Sequence, residues 1–205
     1  MRNFDIELRK HPLPGIAHVF TRLAAGIGTR RKCTPRIPTP ESRITSPTYD
    51  VRVITLIPIG TVRSSRADLA DDDWDAVRAR IELAADFDAE ALDGLEDFSH
   101  AEIIFHFDRG DESKVERSSR HPRGNAAWPK VGIFAQRGSG RPNRIGATIV
   151  RVLKREGRVL EVAGLDAADG SPVLDIKPVM RQFLPRGDVR QPSWVDELMV
   201  SYWQK

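Results

Sequence analysis

The chain has 205 residues, 40% hydrophobic and 30% charged, so one ordinary domain with an appendage fits and two large ones do not. It has no apolar run of the roughly 18–20 residues that a membrane span needs, and its one cysteine excludes a disulfide scaffold or a thiolate metal cage within one chain. The net charge of +3 hides opposed blocks: nine bases against three acids in residues 1–47, 17 acids against four bases in 68–116, and ten bases with no acid in 117–155.

In chain order, residues 1–47 hold Pro12, Pro14, Pro35, Pro38, Pro40 and Pro47, and one apolar stretch, 16–27, suited to a short helix. The composition predicts a poorly ordered basic tail. It is also that of an organelle transit peptide or of a segment read from an upstream start codon, but not of a secretory signal. The folded domain is expected over 48–205. Residues 51–59 read as a β-branched strand ending at Pro58-Gly60, with 61–65 continuing it after a bulge. A polar loop carrying Trp74 follows, then a short strand at 80–83 and one helical turn over 89–95 ended by Gly94.

Residues 98–107 read as a strand, with Ile103, Phe105 and Phe107 alternating against Ile104 and His106. A long polar loop is expected over 108–130, then strands at 130–136, 145–154, 158–165 and 173–176, with Glu156-Gly157 marking a hairpin. Asp175 and Lys177 share a strand face and are placed to pair. A helix over 193–203 has Ser193 as its cap and Trp194, Leu198, Met199 and Tyr202 at helical spacing. Many short strands without alternating long helices predict a mainly β protein, a barrel or sandwich.

Three segments carry chemistry. The stretch from Phe134 to Gly146 puts Arg137, Arg141, Arg144 and Asn143 among three glycines, a pattern suited to an anionic or carboxylate ligand, or to an ordinary basic turn. The stretch from Leu165 to Pro178 forms an Asp-Gly turn flanked by Asp166 and Asp169, whose carboxylates can meet a cationic or hydroxyl-bearing ligand or serve only the turn. The stretch from His121 to Lys130 mixes bases with Trp128, which suits RNA, unless Trp128 packs back onto the core. The acid-free block attracts polyanions, or pairs with the acidic segment across the fold. His100, His106 and His121 lack metal-ligand spacing, so no metal is expected.

Five ordered motifs carry a resemblance over about residues 57–180. They are Ile59-Gly60-Thr61-Val62-Arg63-Ser64, Leu92-Asp93-Gly94-Leu95-Glu96-Asp97-Phe98-Ser99-His100, and Pro129-Lys130-Val131-Gly132-Ile133-Phe134-Ala135-Gln136-Arg137. Arg141-Pro142-Asn143-Arg144-Ile145-Gly146 and the stretch from Leu165 through Asp169, Gly170, Ser171 and Pro172 to Pro178 complete the set. Together they resemble the TrmO/TsaA (YaeB-like) family of S-adenosylmethionine-dependent tRNA methyltransferases.

The resemblance implies a single-sheet β-barrel, a cytoplasmic homodimer with the site near its interface, and S-adenosyl-L-methionine as cofactor. It also implies tRNA as partner, with methylation at N6 of threonylcarbamoyladenosine 37. Cofactor contacts are then expected from Asp108, Arg109, Arg137, Ile149, Leu165, Asp166, Asp169, Gly170, Ser171 and Pro172, with Asp169 as the catalytic base. RNA contacts are expected from Arg117, Arg120, Arg123, Trp128, Lys130, Arg141 and Asn143. The chain departs from the family pattern after Arg63-Ser64, where a Pro-Arg-Gln-type loop is absent. It departs again after Arg137, where Gly138 replaces the usual Ser, and at Arg144, where Pro is usual. Two rivals keep the same fold: a non-catalytic cofactor- and RNA-binding barrel, and a small-molecule methyltransferase.

Overall fold

The computed structural model describes residues 4–7, 53–68 and 72–203. Residues 1–5 and 55–205 fall in one compact unit, which holds the barrel and the cleft, and residues 6–54 in a second. The short strands β1 (Phe4–Glu7) and β2 (Val53–Leu56) make a separate two-stranded sheet. The rest of the expected N-terminal tail lies outside the described residues.

Six antiparallel strands close a barrel, as the resemblance implied. They are β3 (Gly60–Ser64), β4 (Arg78–Leu83), β5 (His100–His106), β8 (Ile145–Glu156), β9 (Val159–Ala163) and β10 (Pro172–Pro178). Around the barrel the order is β10-β3-β4-β9-β8-β5, with β5 pairing back to β10. The intervening β6 (Ser119–Arg120) and β7 (Val131–Gly132) pair with each other outside it. The strands form where side chains alternate. Ala79, Ile81 and Leu83 of β4 point inward while Arg78 and Arg80 face solvent, and Ala101, Ile103 and Phe105 of β5 do likewise. With Val62, Val150, Leu160, Val162 and Val173 they fill one core. The β8–β9 hairpin turns at Gly157-Arg158, with Glu156 opposite Val159 and Gly157 at a φ of 55°.

Long β8 closes the barrel by serving two neighbours. Its first half pairs with β5 and its second with β9, and a register shift between Val152 and Lys154 bends it from one to the other. Its outer face leaves Ile149 exposed, while Thr148 on the opposite face is buried.

Four expected elements differ. The strand at 51–59 is interrupted, because Pro58 has no N–H for a ladder; the barrel strand starts afresh at Gly60. The strand at 130–136 shrinks to Val131–Gly132 and continues as a 3-10 turn, Ile133–Ala135. In that run Ile133 is buried while Phe134 is 77% exposed, so the apolar sequence does not alternate against a sheet. The turn over 89–95 is two 3-10 turns, Ala89–Leu92 and Leu95–Asp97, divided by Gly94 in left-handed backbone. The C-terminal helix, α1, spans Ser193–Met199; Pro192 takes the N-cap position, so Ser193 sits inside the first turn and does not cap it.

Candidate functional site

One side of the barrel opens into a cleft of about 860 Å³, within the size range of small-molecule and cofactor sites. Its walls come from the end of β5 (Phe107 to Gly110), the loop after β7 (Ala135 to Ser139), β8 (Ala147, Thr148, Ile149) and the turn before β10 (Asp166, Ala168, Ser171). A further wall is α1 and the turn after it, with Trp194, Leu198, Met199, Tyr202 and Trp203. The helical face legible in the sequence is therefore spent on the cleft and not on the barrel core.

Two carboxylates face this largely apolar space. Asp166 is held on both oxygens: the Thr148 hydroxyl donates to Oδ1 and the Tyr202 hydroxyl to Oδ2. Both donors come from the cleft walls, so the carboxylate is fixed in orientation before any ligand arrives. Asp108, where β5 leaves the barrel, has a buried Oδ1 with no hydrogen-bond partner among the described residues. A buried acceptor without a donor is costly, and a ligand donor would relieve it. Beside it, burial first and the Arg144 guanidinium second hold the His106 imidazole below its ordinary pKa.

Arg109 bridges two loops. Its guanidinium donates to the Asp169 carbonyl and, at 3.1 Å, to the Ala67 carbonyl. Asp169 itself points away from the cleft: its Oδ1 accepts the Ser64 N–H at 3.0 Å and its own N–H donates to the Arg66 carbonyl at 2.9 Å. The Asp-Gly turn thus fastens the loop after β3, and Gly170 takes a φ of 84° to do it.

That loop has no Pro-Arg-Gln-type triplet, and other contacts hold it. Arg66 stacks over the Trp74 ring at 3.8 Å and donates to the Asp72 carbonyl at 2.6 Å. Trp74, only 4% exposed, lines the cleft, and the N–H groups of Asp73 and Trp74 donate to the carbonyls of Ser201 and Tyr202 at 3.0 and 2.9 Å.

Of the residues expected to bind cofactor, Asp108, Arg109, Arg137, Ile149, Asp166 and Ser171 line the cleft, whereas Leu165, Asp169, Gly170 and Pro172 do not. Leu165 is fully buried in the barrel core. Arg137 is exposed and donates to the Ala147 carbonyl. Gly138 and Gly140 have a packing reason: a Cβ on either would come within 3.2 and 3.0 Å of the Arg120 guanidinium. The departure at Arg144 is built into the backbone, since its φ of 49° is closed to proline.

Of the residues expected to bind RNA, only Arg120 and Arg123 reach the cleft. Trp128 leans on the C-terminal segment, its indole N–H donating to Glu197 at 2.8 Å. Among the described residues the opposed charge blocks meet across the fold in five ion pairs. Arg123 pairs with Asp72 at 2.8 Å, Arg144 with Glu112 at 2.7 Å, Arg151 with Asp75 at 3.7 Å, and Arg155 with both Asp93 and Glu96. Among the described residues Arg117, Arg120, Lys130, Arg137 and Arg141 form no ion pair and carry the block's remaining positive field. Asp175 and Lys177 pair at 2.5 Å, as their shared face predicted. No cluster of three or more His, Cys, Asp or Glu gathers among the described residues, and no described helix is long and apolar enough to cross a membrane.

The sequence reading missed Thr148, Trp74, Tyr202 and Trp203 as cleft residues. The signal available was the aromatic face of 193–203, which had to cover something.

The model of the tRNA-methyltransferase O N-terminal domain matches residues 70–183. Over 146 residues the chain is 36% identical to a probable S-adenosyl-L-methionine-binding protein of Pyrococcus abyssi, covering 68% of this chain and 75% of that one. It is 38% identical over 102 residues to the human tRNA (adenine(37)-N6)-methyltransferase, covering 50% of this chain but only 23% of the human one. Among solved structures it resembles TrmO from P. aeruginosa, with a TM-score of 0.57 at 31% identity, covering 70% of this chain and 62% of that one. The chain therefore spans less than two thirds of the solved TrmO and under a quarter of the human enzyme.

Proposed function

The chain belongs to the tRNA-methyltransferase O N-terminal-domain family, and on that premise we propose that it transfers a methyl group from S-adenosyl-L-methionine to tRNA. The acceptor in this reading is N6 of threonylcarbamoyladenosine at position 37. The observation that carries it is the pair of cleft carboxylates, one braced by Thr148 and Tyr202 and the other with a buried oxygen awaiting a donor. S-adenosyl-L-methionine brings matching groups: a sulfonium, an ammonium and two ribose hydroxyls. Asp108 and Asp166 would hold the cationic and hydroxyl donors, and exposed Arg137 the carboxylate. When bound, the cofactor supplies an electrophilic methyl group on a sulfur that leaves as a neutral thioether.

The residues' own contribution is alignment and exclusion of water. Ile149, Ala147, Ala168 and Phe107 give apolar walls in which carboxylate charges act at short range. Arg109 and Asp169 act as positioning residues, tying the turn before β10 to the loop after β3. Asp169, turned away from the cleft, does not take the proton of the acceptor nitrogen; that proton, made acidic by the incoming methyl group, is lost to solvent at the open side of the cleft. Arg117, Arg120, Lys130 and Arg141 would meet the tRNA backbone. The enzyme would act in the cytoplasm as a homodimer, which Ile149 and Leu153 of β8, 50% and 42% exposed, and the 77% exposed Phe134 suit.

The test is nucleoside mass spectrometry of tRNA incubated with the purified chain and S-adenosyl-L-methionine. A methyl group added to threonylcarbamoyladenosine is expected. An unchanged nucleoside profile alongside intact cofactor binding would favour the non-catalytic barrel instead.

A further inference from the structure

The segment from Ser193 onward supplies one wall of the cleft. That segment is aromatic where it meets the cleft. Of the four tryptophans in the chain, Trp74, Trp194 and Trp203 line this one cleft, and the fourth, Trp128, holds α1 through Glu197. Such a concentration is more than packing needs, because Trp203 is left 40% exposed at the rim.

Trp203 is nonetheless not loose. Its ring meets Tyr202 edge to face, with centroids 4.8 Å apart and planes at 78°. Tyr202 is itself pinned, by its hydroxyl on Asp166 and by its carbonyl, which accepts the Trp74 N–H at 2.9 Å. A chain of contacts therefore runs from the cleft carboxylate through Tyr202 to an exposed indole. A flat apolar surface that is already ordered loses little freedom when a planar ligand settles on it.

The charges around the cleft say which planar ligand suits. Arg109, Arg120 and Arg137 line it against two acids, Asp108 and Asp166, while Arg123, also in the lining, is paired with Asp72. Phosphates are drawn to such a rim, while an aromatic face receives a base lifted from its stack. We propose that Trp203, braced by Tyr202, is the surface on which the acceptor base of an RNA strand stacks. This makes Trp203 a specificity-determining residue for the reaction proposed above, and the inference rests on that reading.

The probe is an RNA hairpin whose loop carries one unpaired adenosine, compared with the same hairpin bearing an abasic sugar at that position. The wild-type chain is expected to prefer the adenosine hairpin by roughly 5- to 100-fold. Trp203→Ala should erase most of that preference, with the loss falling on the adenosine hairpin and not on the abasic one. Trp203→Phe should keep most of it, since any aromatic face stacks.

Equal weakening on both hairpins, or a preference untouched by Trp203→Ala, would overturn the proposal. So would a parallel loss of cofactor affinity, which would assign the indole to the cofactor, or a shift in oligomeric state, which would assign it to a second copy. The two readings fail separately. A wild-type chain that binds no S-adenosyl-L-methionine sinks the methyltransferase reading, whereas one that methylates RNA without preferring the adenosine hairpin sinks only the stacking role.

Discussion

Replacing Gly146 with alanine should strike the barrel at its tightest point. Gly146 of β8 lies opposite Phe105 of β5, and the Phe105 ring lies across the glycine. A Cβ there would sit 2.7 Å from both Cε carbons of the ring and closer still to Cζ. Carbon atoms in contact rest at about 3.5–4.0 Å, so the ring must retreat by roughly an ångström. It has no room, being 0% exposed and packed edge to face on Phe107 with centroids 5.0 Å apart. Overpacking of this kind costs about 1–3 kcal/mol. Restricting the unfolded chain returns about 0.4–1 kcal/mol, leaving a net loss near 1–2 kcal/mol. Urea denaturation should show a lower midpoint at unchanged slope. Adding Phe105→Leu should make the combined loss smaller than the sum of the single losses by about 1 kcal/mol, because the second change opens the space the first needs. Gly146→Ala with wild-type stability, or losses that simply add, would refute the reasoning.

Tyr202→Phe removes a hydrogen bond to a carboxylate and should cost about 1–2 kcal/mol of stability, read by chemical denaturation; an unchanged midpoint would show that the C-terminal wall is not anchored there. His106 has a folded pKa below its ordinary 6.5, so its contribution is whole above that value and is lost as pH falls through it. The denaturation midpoint should therefore drop as pH falls below about 6.5, and should drop less in His106→Gln. Reversing Arg117 and Lys130 to Glu should weaken tRNA binding and reduce the log–log salt slope by about 2, with no change in melting temperature. Arg123→Glu should lower the melting temperature as well, because it faces Asp72.

What could be read in the sequence was whatever local pattern decides. Alternation in 98–107 marks a strand found over His100–His106, the short candidate at 80–83 falls within Arg78–Leu83, and Glu156-Gly157 marks a hairpin, because side-chain direction and turn geometry are set within a few residues. The apolar run 131–135 misleads for the same reason: it has strand-forming residues, but no neighbouring strand of the barrel takes them up. The charge blocks were countable, yet which arginines are neutralised depends on contacts across the fold, as between Arg123 and Asp72 or Arg155 and Asp93. Asp166 and Asp169 looked equivalent in one turn. Their roles part because Thr148 and Tyr202 reach one and the Ser64 N–H the other. Trp194, Leu198, Met199 and Tyr202 showed as a helical face, but the surface such a face covers is a long-range choice.

The most direct test of the account is a calorimetric titration of the full chain and of Asp166→Asn with S-adenosyl-L-methionine. The wild-type chain should give a one-site isotherm. The variant, isosteric but uncharged, should bind more weakly by about 1.5–3 kcal/mol, the worth of a charge-assisted hydrogen bond. No heat from the wild-type chain at about millimolar ligand, which would mean a binding free energy weaker than roughly −4 kcal/mol, would contradict the cofactor site. Equal affinities in the two proteins would contradict the role of Asp166 within it.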